Sequence, residues 1–147
     1  MHIPVKVDYA VRALVDLAQH PNEGSVRASE IAHRQQIPEA FLDRLLHTMS
    51  KEGFLKSQRG PQGGHVLAMD PHSITLGKVM SAMGGWETLV GCLDDPAACF
   101  QSGACAQREI WREVDDAVQH ILDRTTIAEL AQRLAATKTK EPAPSGT

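Results

Sequence analysis

The order of three short segments constrains this chain more than any other feature of its sequence. Residues 29–36 and 38–51 carry apolar side chains at helical spacing and are separated by a tight turn, with Pro38 expected at the first helical position. Residues 54–57 and 65–68 are strand-like runs on either side of a turn that holds three glycines and a proline in six residues. Helix, helix and hairpin within about 40 residues predict a winged helix-turn-helix domain.

A winged helix-turn-helix domain places its second helix in the major groove of DNA. We expect the first outward residues of that helix to meet base edges, because a carboxylate can accept from cytosine and an arginine can bond guanine. Arg59 at the wing tip suits the narrow minor groove, and the neighbouring glycines allow the backbone to approach phosphates. The alternatives are a merely solvated helix face and an ordinary hairpin turn. The predicted DNA-binding residues are Ser29, Pro38, Glu39, Ala40, Asp43, Arg44, Arg59, Gly60, Gln62, Gly63 and Gly64.

Further helices surround this unit. Helical periodicity predicts a first helix over residues 5–19, a short one over 75–83, and a long one that begins at or just after Cys105. The long helix carries an apolar stripe over residues 110–121 that needs a partner surface. A further capped helix follows at residue 125. The sequence thus predicts a mainly α protein, divided into a DNA-binding domain (1–85), a cysteine-bearing loop (86–105), dimerisation helices (106–136) and a disordered tail (137–147).

Composition limits the class of protein. A chain of 147 residues with 42% hydrophobic and 22% charged residues is typical of one globular domain. We expect a cytoplasmic protein, because no apolar run reaches the roughly 18 residues of a membrane helix and the N-terminus lacks the apolar core of a secretory signal. The net charge of −3 conceals a small basic excess in the first 66 residues, which predicts modest non-specific DNA affinity. No grouping of catalytic residues is present, so no enzymatic activity is expected.

Three cysteines occur within fourteen residues, Cys92, Cys99 and Cys105. The gaps of six and five residues are not those of zinc knuckles, which use paired cysteines two to four residues apart and four ligands. Wider spacing on a loop fits an iron–sulfur cluster, which is larger and is held by thiolates. Three unrelated cysteines are the alternative. Two other functional classes stay open: a cluster-free regulator that senses thiol oxidation, and a cluster-carrying redox protein that does not bind DNA.

The sequence resembles the Rrf2-type bacterial transcription regulators over nearly its whole length. Members of that family form homodimers whose long C-terminal helices cross, so the resemblance implies a homodimer on a palindromic operator in double-stranded DNA. The matching motifs are DYAVRAL at 8–14, IPEAFL at 37–42, GFL at 53–55, RGPQGGHVL at 59–67, ITLGKV at 74–79, and the three cysteines.

The same resemblance implies an iron–sulfur sensor that responds to nitric oxide, redox state or iron, with a [4Fe-4S] cluster favoured over [2Fe-2S]. In the nitric-oxide-sensing repressors an aspartate on the first helix, here Asp8, is contributed across the dimer as the fourth ligand. Regulators of iron–sulfur assembly use a histidine at a position near Arg108, and that histidine is absent here. The alternative role for Asp8 is that of a helix-start cap, since aspartate is favoured near helix N-termini.

Overall fold

The computed structural model describes residues 2–61, 63–101 and 103–139. In that part of the chain it contains seven α-helices, one 3₁₀ turn and a two-stranded sheet, which confirms the mainly helical prediction. No described helix combines the length and the apolar character needed to cross a membrane. The elements are α1 (Val5–Gln19), α2 (Ala28–Gln35), α3 (Glu39–Lys51), β1 (Leu55–Gln58), β2 (Gly64–Leu67), α4 (Leu76–Ala82), α5 (Gly91–Asp94), the 3₁₀ turn (Pro96–Ala98), α6 (Arg108–Arg124) and α7 (Ile127–Lys138).

The core forms where α1 packs against the helix-turn-helix pair. Leu14 on α1, Ile31 on α2 and Leu42 on α3 are fully buried. Each belongs to a stripe at helical spacing, so burying these stripes together fixes the three helices around one apolar centre. The turn between α2 and α3 passes through Gln36, the one described non-glycine residue with a positive φ (54°). This conformation ends α2 and redirects the chain into α3.

The wing is an antiparallel hairpin in which Leu55 pairs with Leu67 and Gln58 with Gly64. An isolated antiparallel bridge between Val26 and His65 joins the segment before α2 to β2. The winged helix-turn-helix prediction is therefore confirmed. One detail was wrong: Pro38 is the N-cap of α3, not its first helical residue, because its ψ of 125° lies outside the helical region.

The segment with the cysteines is more ordered than the predicted loop. It contains α5 and the 3₁₀ turn, where Asp95 accepts a hydrogen bond from the Ala97 N–H at 3.0 Å. Cys105 lies three residues before α6, whose N-cap is Gln107, so it does not start the long helix. Helices of three or four residues are too short to produce a detectable apolar period, which is why the sequence indicated only a loop.

The last helix joins the core of the N-terminal domain. α7 lies along α1, and Ile127 at its start is fully buried. Thr126 caps the helix by accepting from the Glu129 N–H at 3.1 Å, as the sequence predicted for this region, and a bridge between Thr75 and Thr126 ties it to the start of α4. Helix α7 continues to Lys138, past the expected start of the tail. Residues 140–147, expected to be disordered, lie outside the described residues.

Candidate nucleic-acid interface and cysteine segment

The outer face of α3 carries the predicted base-contacting residues. Leu42, Leu45, Leu46 and Met49 turn inward and are buried, while Glu39, Ala40, Asp43 and Arg44 are exposed on the opposite face. Burial of one face therefore leaves the other free for the major groove. Pro38, the N-cap of α3, and Ser29, in the first turn of α2, are also exposed. Both lie at helix N-termini, close to the residues that we expect to contact DNA.

The tip of the wing exposes Arg59 and Gly60, and Gly60 has a φ of +105° that favours glycine. A Cβ at Gly63 would lie 2.5 Å from the carbonyl oxygen of Gln58. A Cβ at Gly64 would lie 2.5 Å from the carbonyl oxygen of Val26. Gly63 and Gly64 are thus required by close backbone packing inside the wing, a reason that the sequence did not reveal. The remaining tip residue predicted to contact DNA, Gln62, lies outside the described residues.

His65 connects the wing electrostatically to α3. Its ring is half-buried in β2, with Nδ1 3.4 Å from the hydroxyl oxygen of Ser57. Burial lowers the pKa of His65 below its usual value of 6.5, and the carboxylate of Asp43 on α3 opposes that shift. The negative charge of Asp43 on α3 therefore acts on His65 in the wing.

A buried carboxylate fixes α1 to α2. Asp16 is 1% exposed, and its Oδ2 accepts from Nη2 of Arg34 at 2.7 Å while its Oδ1 accepts from Nε2 of Gln35 at 2.9 Å. Arg34 also donates from Nη1 to Glu23 at 3.2 Å. Burial lowers the pKa of Arg34 but the hydrogen bond and charge of Asp16 more than offset it, so the pKa is raised and the guanidinium stays charged. This pair holds the helix-turn-helix on α1.

The three cysteines occupy the segment between α4 and α6. Cys92 lies in α5, Cys99 directly follows the 3₁₀ turn, and Cys105 precedes α6; all three are partly buried and none is in a disulfide. The guanidinium of Arg108 donates from Nε and Nη2 to the carbonyl oxygen of Cys92 at 3.3 and 3.1 Å, which ties α5 to α6. Among the described residues, no three or more His, Cys, Asp or Glu side chains are gathered into a group that could hold a metal. The single chain therefore does not bring the three sulfurs together.

Asp8 is at the surface near the start of α1. Its Oδ2 lies 3.0 Å from Nη2 of Arg12, and both side chains are about half exposed. The N-cap of α1 is Pro4, and no side chain caps this helix end. The helix-cap alternative for Asp8 is therefore wrong, because the carboxylate pairs one turn further along the helix. Its exposure leaves it accessible to a second chain.

A second buried carboxylate anchors the segment that leads to the cysteines. Asp115 on α6 is 4% exposed; it accepts from Nε1 of Trp86 at 2.7 Å and from Nε2 of Gln119 at 3.1 Å. This contact could not be predicted from the sequence, since nothing local distinguishes Asp115 from its exposed neighbour Asp116. The bonds from Trp86 to Asp115 and from Arg108 to the Cys92 carbonyl hold the first part of the cysteine segment against α6.

The outer face of α6 is apolar and uncovered. A stripe at helical spacing stays exposed along most of the helix, although such side chains are ordinarily buried. Its exposed fractions are 54% for Ile110, 40% for Trp111, 38% for Val114 and 51% for Ile121.

Comparison with known proteins places the chain in one family. The Rrf2 family model, described as an iron-dependent transcriptional regulator, matches residues 3–133. The chain belongs to the Rrf2 family. It is a DNA-binding transcription regulator and not an enzyme, as the sequence predicted.

Similar regulators and structures span almost the whole chain. It is 32% identical over 130 residues to the HTH-type transcriptional regulators IscR of Yersinia pseudotuberculosis and Serratia proteamaculans, covering 88% of this chain and 79% of each relative. Among solved structures, CymR, the global cysteine regulator of B. subtilis, is 32% identical with a TM-score of 0.78, covering 90% of this chain and 98% of CymR. T. potens IscR is 29% identical with a TM-score of 0.75, covering 97% and 93%.

Proposed function

We propose that this Rrf2 regulator binds a palindromic operator as a homodimer, and that an iron–sulfur cluster held by Cys92, Cys99 and Cys105 controls its affinity for DNA. The observation that carries the proposal is the position of three free, partly accessible thiols in a short segment fastened to α6. A conformational change in that segment would act directly on α6, whose exposed apolar face we propose as the dimer interface. The proposal keeps two predicted boundaries: the DNA-binding domain ends at residue 85, and the cysteine-bearing segment ends at residue 105.

The exposed apolar face of α6 supports a homodimer. An exposed apolar stripe of this length is stabilised when a second copy covers it, and a two-fold axis presents the same stripe from both chains. Two-fold symmetry in turn repeats the DNA-binding surface on two half-sites. That surface comprises Ser29, Pro38, the α3 residues Glu39, Ala40, Asp43 and Arg44, and the wing. A palindromic operator follows from that symmetry.

The donor set fits an iron–sulfur cluster in its chemistry. Thiolates are the ligands of such clusters, and all three cysteines are outside disulfides and partly accessible. Because the sulfurs are not gathered within one described chain, the segment must rearrange around the cofactor, and a further ligand must come from elsewhere. We assign that role to Asp8 of the second chain, whose carboxylate is exposed. When bound, a [4Fe-4S] cluster would supply a centre sensitive to redox state, iron or nitric oxide.

Contacts in the described chain connect Asp8 to the recognition helix. The Arg12 guanidinium that pairs with Asp8 lies 5.6 Å from the ring centre of Tyr9. That ring meets Phe41 of α3 edge-on at 5.6 Å, and Arg44 lies 5.8 Å from the Phe41 centre. If Asp8 exchanges Arg12 for the cofactor, the cation over Tyr9 is freed to move. We propose that this shift reaches α3 and changes how Arg44 presents itself to DNA.

A cluster-free regulator that responds to thiol oxidation is the second candidate. Its supporting observation is that the three thiols are free and are not already disposed around a metal site. An oxidized form of S. aureus CymR is also similar to this chain, at 26% identity with a TM-score of 0.73. The family assignment sets aside the third alternative, a redox protein that does not bind DNA.

Iron and acid-labile sulfide analysis of anaerobically purified protein separates the two candidates. We expect the wild type, made with ample iron, to be coloured and to contain iron and sulfide in equal amounts. Cys92→Ala, Cys99→Ala and Cys105→Ala should each lose colour and iron. Phe100→Ala is the matched control, because this 94% exposed side chain lies in the same segment and offers no ligand. Asp8→Ala should weaken retention of the cluster without removing all the iron.

Two results would contradict the proposal that the cysteines hold an iron–sulfur cluster. One is a cysteine variant that keeps its colour and iron. The other is a colourless wild type in which a mild oxidant forms a disulfide among the three cysteines and changes DNA affinity; this second result supports the thiol-oxidation candidate.

A further inference from the structure

Arg27 lies where the wing meets the helix-turn-helix. Its backbone carbonyl accepts hydrogen bonds from the N–H groups of Glu30 and Ile31 at 3.1 and 3.2 Å, which form the first turn of α2. Its side chain reaches 34 residues along the chain, where Nη2 donates to the carbonyl oxygen of Pro61 at 2.5 Å. One residue therefore contacts both the start of α2 and the tip of the wing.

The backbone next to Arg27 pairs with the start of β2, beside the wing tip. Val26 and His65 exchange two hydrogen bonds, with N–O distances of 2.9 and 2.7 Å. Gly64 lets the two backbones approach so closely, since a Cβ there would lie 3.0 Å from the Arg27 nitrogen. Backbone pairing thus holds the start of β2, and the Arg27 side chain holds the tip itself.

We propose that Arg27 is a positioning residue for DNA binding: it holds the wing tip at the distance from α3 at which Arg59 reaches the minor groove. An isolated two-stranded hairpin is marginally stable, so an unfastened tip would have to be ordered when DNA binds. Fixing the tip in advance removes that entropic cost from binding. The Arg27 guanidinium bonds the Pro61 carbonyl of its own chain, and it affects DNA affinity only by positioning Arg59. This inference rests on the proposed wing contact.

The test is a double-mutant cycle on operator affinity with Arg27→Met and Arg59→Ala. R27M keeps an unbranched side chain but cannot donate to Pro61. We expect R27M to weaken binding about fivefold, in the range of one charge-assisted hydrogen bond. In the R59A background the same change should cost less than about twofold. Arg27→Gln, whose side chain is shorter and uncharged, should repeat the result if R27M folds poorly.

Hydrogen exchange of the free protein supplies a readout without DNA. Residues 59–64 should exchange faster in R27M than in the wild type, whereas α1 should be unchanged. Additive losses in the cycle would mean that Arg27 contacts DNA by itself and would overturn the inference. Unchanged affinity or unchanged exchange in R27M would overturn it as well. Wild-type affinity of R59A alone would refute the proposed wing contact, and the inference would fall with it.

Discussion

Arg34→Met removes the cation that balances the buried carboxylate of Asp16. In the folded protein Asp16 is 1% exposed and is bonded by Arg34 at 2.7 Å and by Gln35 at 2.9 Å. After the substitution the carboxylate keeps the Gln35 hydrogen bond but has no positive partner in a site closed to water. The folded state therefore loses free energy that the unfolded chain, hydrated throughout, does not lose.

The size of the loss follows from the exposure of both partners. Breaking a fully buried pair costs about 3–5 kcal/mol. Here the Arg34 side chain is 29% exposed and is shared with Glu23 at 3.2 Å, so solvent already screens part of the attraction. We expect a decrease of about 2–3 kcal/mol in the free energy of unfolding, which for this chain length lowers Tm by about 4–12 °C.

Urea unfolding followed by circular dichroism at one fixed protein concentration measures this loss. Arg12→Met is the matched control for stability, because the Arg12–Asp8 pair is about half exposed and should contribute less than about 0.5 kcal/mol. The double variant Asp16→Leu, Arg34→Met should recover most of the stability, since it leaves no unpaired buried charge. The reasoning fails if R34M unfolds like the wild type, or if the double variant is no more stable than R34M.

Three other predictions follow from buried or uncovered groups. Trp86→Phe removes the hydrogen bond to the buried carboxylate of Asp115 and should cost about 1–2 kcal/mol in urea unfolding. Phe100→Ala, which truncates a 94% exposed side chain outside the α6 stripe, should cost less than about 0.5 kcal/mol, and equal losses would contradict the role of the Trp86 hydrogen bond. Burial lowers the pKa of His65 below 6.5, so the unfolded chain takes up a proton more readily than the folded chain, and the free energy of unfolding decreases as pH falls below 6.5. His65→Gln should therefore make the free energy of unfolding less dependent on pH between about pH 7.5 and 5.5. The same pH dependence in the variant and the wild type would refute this. Val114→Asp places a charge in the apolar stripe and should shift sedimentation equilibrium from dimer to monomer, whereas a variant as dimeric as the wild type would show that another surface joins the chains.

Local patterns were sufficient to predict the DNA-binding half of the fold. Helix α1 has the bounds that its apolar period predicts, α2 starts and ends one residue earlier than predicted, and α3 starts one residue later. These helices bury one continuous stripe each, so sequence spacing and tertiary packing agree. The reading face of α3 follows at once, since the residues opposite the buried leucines must face outward.

Contacts between distant residues could not be predicted. Buried Asp115 accepts a hydrogen bond from Trp86, 29 residues earlier, and the bond from Arg27 to Pro61 spans 34 residues. Helix α7, predicted among the dimerisation helices, also packs along α1, with Ile127 in the core. An apolar stripe states that a helix needs a partner but does not identify it, so α6 and α7 could not be told apart from their sequences.

The most direct test of cluster control compares operator affinity in two halves of one anaerobic preparation, one loaded and one stripped of iron with a chelator. The account predicts Kd values that differ by at least about tenfold, a coupling of typical allosteric size, with Cys99→Ala matching the stripped half whether or not iron is supplied. Equal Kd values for the loaded and stripped halves would contradict control of DNA affinity by the cluster, even if the protein binds iron and sulfide.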